Sequence, residues 1–412
     1  MRNASVTDHD IQPPGIGLDI AVGLALAVVT GVLVWLLSMP MRFTLTHLDV
    51  WFDTDSLFIY EVMTDRWSEH HDRNNLHPIF GLITFPLAFA QRRLLGIDNY
   101  TAALVLLIAM GSAWTASLYA TLRLMKRPIA AAVTFTALAV ATTGGVLFLG
   151  IFERHIAGSV TILLCVAAFV AYERGMISGK WLTVAAAGTL GVTITNFMVG
   201  VAALFLAFGY RKGLQASINA FFAITMVSVI PLFLFPKSPA FLNFRDLPFS
   251  STLMDIAGTP AQKTAAFWLH AVVLPKPIVE TKPAPHEGTR HLSLQRAGIG
   301  NHGPIGYTTL GLWFVLLALG ISQTYRRLPI EKVDILLGSG VLGHFLLFLF
   351  FGSETVLYAP SYVPLILLIV SRVLTSSGKR AAFVISLAFL GLLAWNNIQQ
   401  FLLSVAAARS LL

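Results

Sequence analysis

The sequence predicts an all-α polytopic membrane protein with about eleven transmembrane helices, and three observations carry that expectation. Of its 412 residues, 56% are hydrophobic and only 12% are charged, against about 25% charged in a soluble domain. Apolar runs of about 20 residues, the length that crosses a hydrocarbon core, recur from end to end. Lys and Arg are spread so unevenly over the short connections that they give each connection a side.

The first apolar run, from about Gly17 to Ser38, is too long for a signal-peptide core, and no small-residue cleavage site follows it, so it is read as a retained helix. Further spans are expected at about 100–122, 128–149, 156–172, 181–195, 197–210, 214–235, 305–325, 333–351, 356–371 and 381–402. The short pair 181–195 and 197–210 meets at a tight turn near Thr195 and Asn196. Segment 78–95 is apolar enough to cross, yet it contains Pro86 and ends in Gln91-Arg92-Arg93. If it lies along the outer surface, the short cytoplasmic loops hold thirteen basic residues (123, 126, 127, 174, 180, 211, 212, 326, 327, 332, 372, 379 and 380) and the short outer loops hold only Arg154. If it crosses, the ratio inverts. It is therefore expected to be an interfacial or re-entrant helix, with the N-terminus cytoplasmic. The chain then divides into a transmembrane module over 1–235 with a first outer loop at 40–99, a long extracytoplasmic loop at 236–304, and C-terminal helices over 305–412.

Several chemistries are disfavoured. The single cysteine, Cys165, falls inside a span and reads as a packing residue. No HExxH motif or CxxC pair occurs. The net charge of +8 comes without a basic stripe interleaved with aromatics, which points to membrane lipids or phosphate and not to nucleic acid. The spans are almost free of ionisable groups, His344 excepted; a secondary transporter normally needs several at mid-depth. The stretch Gly298 to Gly303 formally fits GxGxxG but follows no strand, so a turn is expected.

Ionisable residues gather instead on the outer side, in four places. The acidic run contains Asp49, Asp53 and Asp55. A carboxylate held near apolar surface suits a general base, and two acids two residues apart also suit a divalent cation. His77-Pro78 reads as a helix start facing that run. Glu153-Arg154-His155 forms a very short loop that must lie at the membrane surface. Glu354 and Tyr358 sit one helical turn apart in another short loop. Each also has a plain structural explanation: helix caps, a surface ion pair, and an aromatic of the interfacial belt.

With those residues in order, the chain resembles the GT-C-type glycosyltransferases, specifically the branch of protein O-mannosyltransferases and bacterial polyprenyl-phosphate-sugar-dependent transferases. The carrying motifs are FDTDSLFIYE (Phe52 to Glu61), LHPIFGL (Leu76 to Leu82), LLGIDNY (Leu94 to Tyr100), the paired short helices around Asn196, and the late loop SETVLYAPSYVPL (Ser353 to Leu365). The likeness is good over residues 17–210 and looser beyond. The family often has an Arg just inside the second span, where this chain reads Thr101-Ala102-Ala103-Leu104, and many members have Lys where Asn196 stands. The resemblance implies a polyprenyl-phosphate-sugar donor and a glycan, lipid or protein acceptor. It implies Asp53 or Asp55 as the catalytic base. Asp49, His77, Glu153, His155, Glu354 and Tyr358 would shape the substrate site, and Arg154, Arg92, Arg93 or a basic residue of the long loop (Arg245, Arg290, Arg296) would meet the donor phosphate. A bacterial inner membrane is the expected location. Three rival readings stay open: a transporter of lipids or lipid-linked sugars, a non-catalytic protein on the same scaffold, and a membrane acyltransferase acting on sugars, for which His77 with Asp72 is a weak match.

Overall fold

The computed structural model describes residues 15–44, 50–241, 243, 258–281, 290–326, 329–352, 354–375 and 378–412. The expected helices form, because long runs of Leu, Ala, Val and Ile without interior polar groups can satisfy their backbone in lipid only as helix. α1 (Ile16–Ser38) is followed by the short helices α2 (Ser56–Thr64) and α3 (Phe80–Leu95). Next come α4 (Asn99–Leu124), α5 (Ile129–Ala141), α6 (Thr143–Phe148), α7 (His155–Glu173), α8 (Gly179–Val192) and α9 (Phe197–Val227). α10 (Ile230–Leu234) and α11 (Pro260–Ala265) precede a hairpin of β1 (Ile278–Thr281) and β2 (Arg290–Ser293). α12 (Pro304–Tyr325), α13 (Lys332–Phe350), α14 (Ala359–Val370) and α15 (Lys379–Arg409) complete the bundle.

Eight helical stretches among the described residues are long and apolar enough to cross a membrane. The difference from eleven has a plain cause. The segments expected at 128–149 and 181–195 are shorter helices: α5 with α6, and the 14-residue α8. The expected spans 197–210 and 214–235 fall in one continuous helical stretch, Ile194–Leu234. That stretch is not straight. Gly209 has φ 74° and ψ 176°, and a Cβ on Gly213 would lie 2.8 Å from the Cα of Phe205. Such proximity over eight residues requires the chain to double back, so α9 is two antiparallel arms joined at Gly209, where a positive φ favours glycine.

The two ends of the bundle differ in chemistry. At one end Arg123 holds Asp19 (Nε–Oδ1 2.6 Å), Arg127 reaches Ser371 (3.0 Å), Arg372 holds Asp334 and Glu331 (2.8 Å each), and Lys332 meets Glu173 (3.1 Å). These contacts gather the short basic loops on one face, as their charge pattern predicts. The opposite face carries the acidic turn. Both ends of α3 lie there: His77 bonds to Val192 at its start, and Tyr100, just past its end, packs edge-on against Phe152 with ring centres 5.8 Å apart. α3 therefore returns to the face it left. It begins at Phe80, two residues later than the His-Pro motif suggests, and the Ile79 N–H just before it donates to the Gly191 carbonyl at the end of α8 (2.9 Å).

Buried polar contacts lock the helices together. Trp114 of α4 donates to Ser159 of α7 (2.8 Å), and Ser159 donates in turn to the Pro360 carbonyl of α14. The long loop is more structured than its Pro, His and Lys content suggests. After a π turn over Ala266–His270, residues Ala271–Leu274 are fully buried. Their backbone is satisfied from the bundle. The first N–H groups of α6 donate to the Ala271 and Val272 carbonyls (Gly144 N 3.3 Å, Thr143 N 3.1 Å). Asn397 of α15 accepts from the Leu274 N–H (2.8 Å) and donates to the carbonyls of Val272 (2.9 Å) and Ala141 (2.8 Å). The two strands form the one sheet among the described residues, with Ile278 opposite Ser293 and Thr281 opposite Arg290.

One close approach offers a test. A Cβ on Gly150 would lie 2.8 Å from the Leu37 main-chain carbon, so Gly150→Val must push α1 away from the segment that leads into Glu153. The expected cost is about 1–3 kcal/mol, read as a lower apparent melting temperature in detergent.

Candidate functional site

The acidic turn is built under strain. Phe52 and Asp53 both have positive φ, 51° and 58°, a region that a side chain with a Cβ rarely occupies. β2 imposes it: the Leu292 N–H donates to the Val50 carbonyl (3.0 Å) and the Phe52 N–H donates to the Leu292 carbonyl (3.1 Å). The second outer loop thus adds a strand edge to the first. Strain of this kind tends to be kept at functional positions. Asp53 is half-buried, and its charge acts on both Glu354 and Tyr358.

Asp55 heads α2 and is clasped from two sides. Arg73, from the 3₁₀ turn Glu69–Asn75, donates to its carboxylate, and Arg154 lies 3.4 Å from the same oxygen. Arg73 is held over the Phe58 ring, with 5.3 Å to its centre. The Asp55 N–H donates to Glu153 (3.0 Å), and Glu153 also accepts from the Arg154 N–H (2.9 Å). Glu153 is 1% exposed and Arg154 5%. Burial, followed by the charge of Asp55, pushes the Glu153 carboxyl up to about 7. Burial pulls Arg154 below its usual value, and Asp55 opposes that.

The other predicted groups pack around this clasp. His155 Nε2 lies 3.6 Å from Glu153, and its ring meets Tyr358 edge-on at 4.6 Å. His77 donates through Nδ1 to the Val192 carbonyl (2.8 Å), and burial with Arg154 nearby holds it well below the usual imidazole value. It is therefore a neutral ring with Nε2 left as an acceptor. Glu354 is 2% exposed and accepts from the N–H groups of Leu294 (3.3 Å) and Gln295 (3.0 Å), just after β2. It anchors the second outer loop above the acidic turn, a role the sequence did not suggest.

Two predicted residues stand apart. Arg92 caps the end of α2 by donating to the Thr64 carbonyl (2.8 Å), and Arg93 is exposed over the Phe89 ring. Neither reaches Asp55, because α3 carries its C-terminal end away from the acidic turn toward α4. Asp49 and Arg245 lie outside the described residues. Arg290 begins β2, and Arg296 pairs with Glu280 at 3.7 Å.

Two cations were missed. Arg73 lies in a stretch that reads as solvated, and only its distance of 18 residues from Asp55 is fixed by sequence. Arg42, past the end of α1, sits 4.3 Å over the Tyr100 ring and lines a narrow crevice with Trp51, Ser56 and Phe152. It places a guanidinium beside the start of α4, where the sequence has no Arg. Among the described residues no three His, Cys, Asp or Glu side chains converge as a metal site. The two guanidinium groups on Asp55 also disfavour a divalent cation there.

Burial pushes Glu354 up to about 8, from a usual 4.5. A carboxyl raised on folding keeps its proton in the folded chain and loses it in the unfolded chain, so this contribution to stability is full below about 4.5 and fades as pH rises toward 8. Glu354→Gln cannot ionise and should flatten the fall of apparent melting temperature across that window.

No family model and no curated protein matches the chain by sequence. Its fold does have a counterpart among solved structures: the crystal structure of ArnT from Cupriavidus metallidurans bound to undecaprenyl phosphate. The likeness has a TM-score of 0.52 at 13% identity and covers 95% of this chain and 76% of that one. The protein is a multi-pass membrane protein whose fold is similar to that of ArnT.

Proposed function

We propose that the protein is an integral-membrane glycosyltransferase. It moves a sugar from a polyprenyl-phosphate-linked donor to an acceptor hydroxyl on the outer side of a bacterial inner membrane, with its N-terminus cytoplasmic. The observation that carries this reading is the clasp on Asp55, two guanidinium groups converging on one carboxylate beside a strained acidic turn. It occurs in a fold similar to that of a protein bound to undecaprenyl phosphate.

The chemistry needs a base, a cationic seat for the leaving phosphate, and access from the bilayer. Asp53 takes the proton of the acceptor hydroxyl as that oxygen attacks the anomeric carbon. The bond from that carbon to the phosphate oxygen breaks, and the polyprenyl phosphate leaves as an anion against Arg154 and Arg73. Attack from the face opposite the phosphate inverts the anomeric centre. Asp55 keeps both guanidinium groups in position before the donor arrives, which spares their reorganisation during the reaction. Arg42 marks the lipid-side approach. The apolar outer surface of α1, with Leu24 and Val28 exposed, offers the isoprenoid tail a path to the crevice beside Ser56. Neutral His77 and His155 line the acceptor side. The acceptor is a glycan, lipid or protein hydroxyl.

The roles separate in kinetics. Asp53→Asn should lower kcat by about 100- to 10,000-fold, with donor binding little changed. Asp55→Asn should chiefly raise KM for the donor, because Arg73 and Arg154 lose their anchor. Transfer assays with purified protein check both, and full activity in both variants would sink the assignment. Orientation is tested by single cysteines. Lys212→Cys at the α9 turn should react with an impermeant maleimide only from the cytoplasm, and Trp67→Cys only from outside; Cys165 is buried and silent.

A further inference from the structure

A second site lies on the same face, in the stretch where Gly298 to Gly303 leads into α12. A cavity of about 460 Å³ is lined there by Lys276, Asn301, His302, Gly303, Gln400 and Leu403, among others. Among the described residues no acidic side chain lines it. Its walls are fixed: the Lys276 N–H donates to the Asn301 carbonyl (3.1 Å), and Asn301 Nδ2 donates back to the Lys276 carbonyl (3.2 Å).

Two features of the mouth favour an anion. Gly303 is the N-cap of α12, so the free N–H groups and positive end of a 22-residue helix face this region. Lys276 adds a full positive charge. The inner wall has different chemistry. His302 is 2% exposed, and neither of its ring nitrogens has a partner in the protein; Gln400 Oε1 is also buried without one. An unpartnered buried polar atom costs about 1–3 kcal/mol, so such groups mark where something other than the chain completes the structure. Burial, with His270 close by, takes His302 down to about 4. At neutral pH it is an uncharged ring with one donor and one acceptor, suited to hydroxyl groups and not to a second anion. Gln400 Oε1 likewise accepts from a hydroxyl.

The surroundings place this cavity at the membrane boundary. Leu402, Leu403 and Ile299 are 59%, 49% and 54% exposed, forming an apolar surface beside the opening. We infer that the cavity binds a phosphate-bearing polyol, the head group of an anionic phospholipid such as phosphatidylglycerol, with phosphate toward Lys276 and the first turn of α12 and hydroxyls toward Gln400 and His302. This site is separate from the Asp55 clasp, and its test does not depend on transferase activity.

The test is lipid retention by native mass spectrometry of the purified, delipidated protein, titrated with phosphatidylglycerol or phosphatidylcholine. The wild-type protein should retain phosphatidylglycerol in preference. Lys276→Glu, at an exposed side chain, should keep the wild-type melting temperature and lose about fivefold or more of that preference. Gln400→Leu should weaken retention through the hydroxyl side alone. Soluble glycerol phosphate that displaces the lipid from wild type, but has no effect on Lys276→Glu, would assign the site to a free polyol phosphate of the same chemistry. Equal retention of the two lipids by wild type without glycerol phosphate binding overturns the proposal, as does a preference that survives Lys276→Glu.

Discussion

The structure around the acidic turn depends on one pairing, that of Asp55 with Glu153 and Arg154. The connection between α6 and α7 is only a few residues long, so Glu153 and Arg154 cannot reach open water and are buried at the bundle's end. Burying an ion is costly unless its charge and its remaining hydrogen-bonding capacity are both matched. The match comes from the first outer loop, which supplies a main-chain N–H to Glu153 and a carboxylate to Arg154. The start of α7 contributes as well, since a carboxylate at a helix N-terminus lies in a favourable field. The two segments are 98 residues apart in sequence and meet through this contact.

The second outer loop then completes the arrangement from above. A segment that enters the bundle without being helical must find a partner for every N–H and carbonyl. Ala271–Leu274 do so through Asn397 and the start of α6. That anchor lets the following hairpin reach the acidic turn at Leu292 and cap Glu354 through Leu294 and Gln295. The strain at Phe52 and Asp53 is therefore held by hydrogen bonds whose own footing is deep in the bundle. Positions that touch no reacting group, Asn397 and Glu354 among them, bear on the geometry of Asp53.

The site's electrostatics follow the same logic. Arg73 and Arg154 bring two positive charges to one carboxylate, and the nearby histidine His77 is neutral because burial and those guanidinium groups disfavour its cation. Positive charge and neutral hydrogen-bonding groups thus lie side by side at this turn. The cavity at Lys276 and His302 repeats that division on a smaller scale, with positive charge at the mouth and neutral polar atoms within.

Hydropathy and charge by themselves determined the membrane class, the position of the helices and the sorting of loops between two faces. Those properties are local: a 20-residue apolar run and a pair of lysines act through lipid and membrane potential wherever the rest of the chain lies. Pro86, Arg92 and Arg93 set segment 78–95 apart in the sequence, and both ends of α3 lie at one end of the bundle. The motif positions Asp55, Glu153, Arg154, His155 and Tyr358 were also legible as a group, since short loops confine them to one surface. Only tertiary structure decided that Arg73 and not Arg92 meets Asp55, that Arg42 stands where α4 has no Arg, and that Glu354 holds a loop. These outcomes depend on which surfaces of distant segments face each other, and a one-dimensional pattern carries charge and hydrophobicity but not direction.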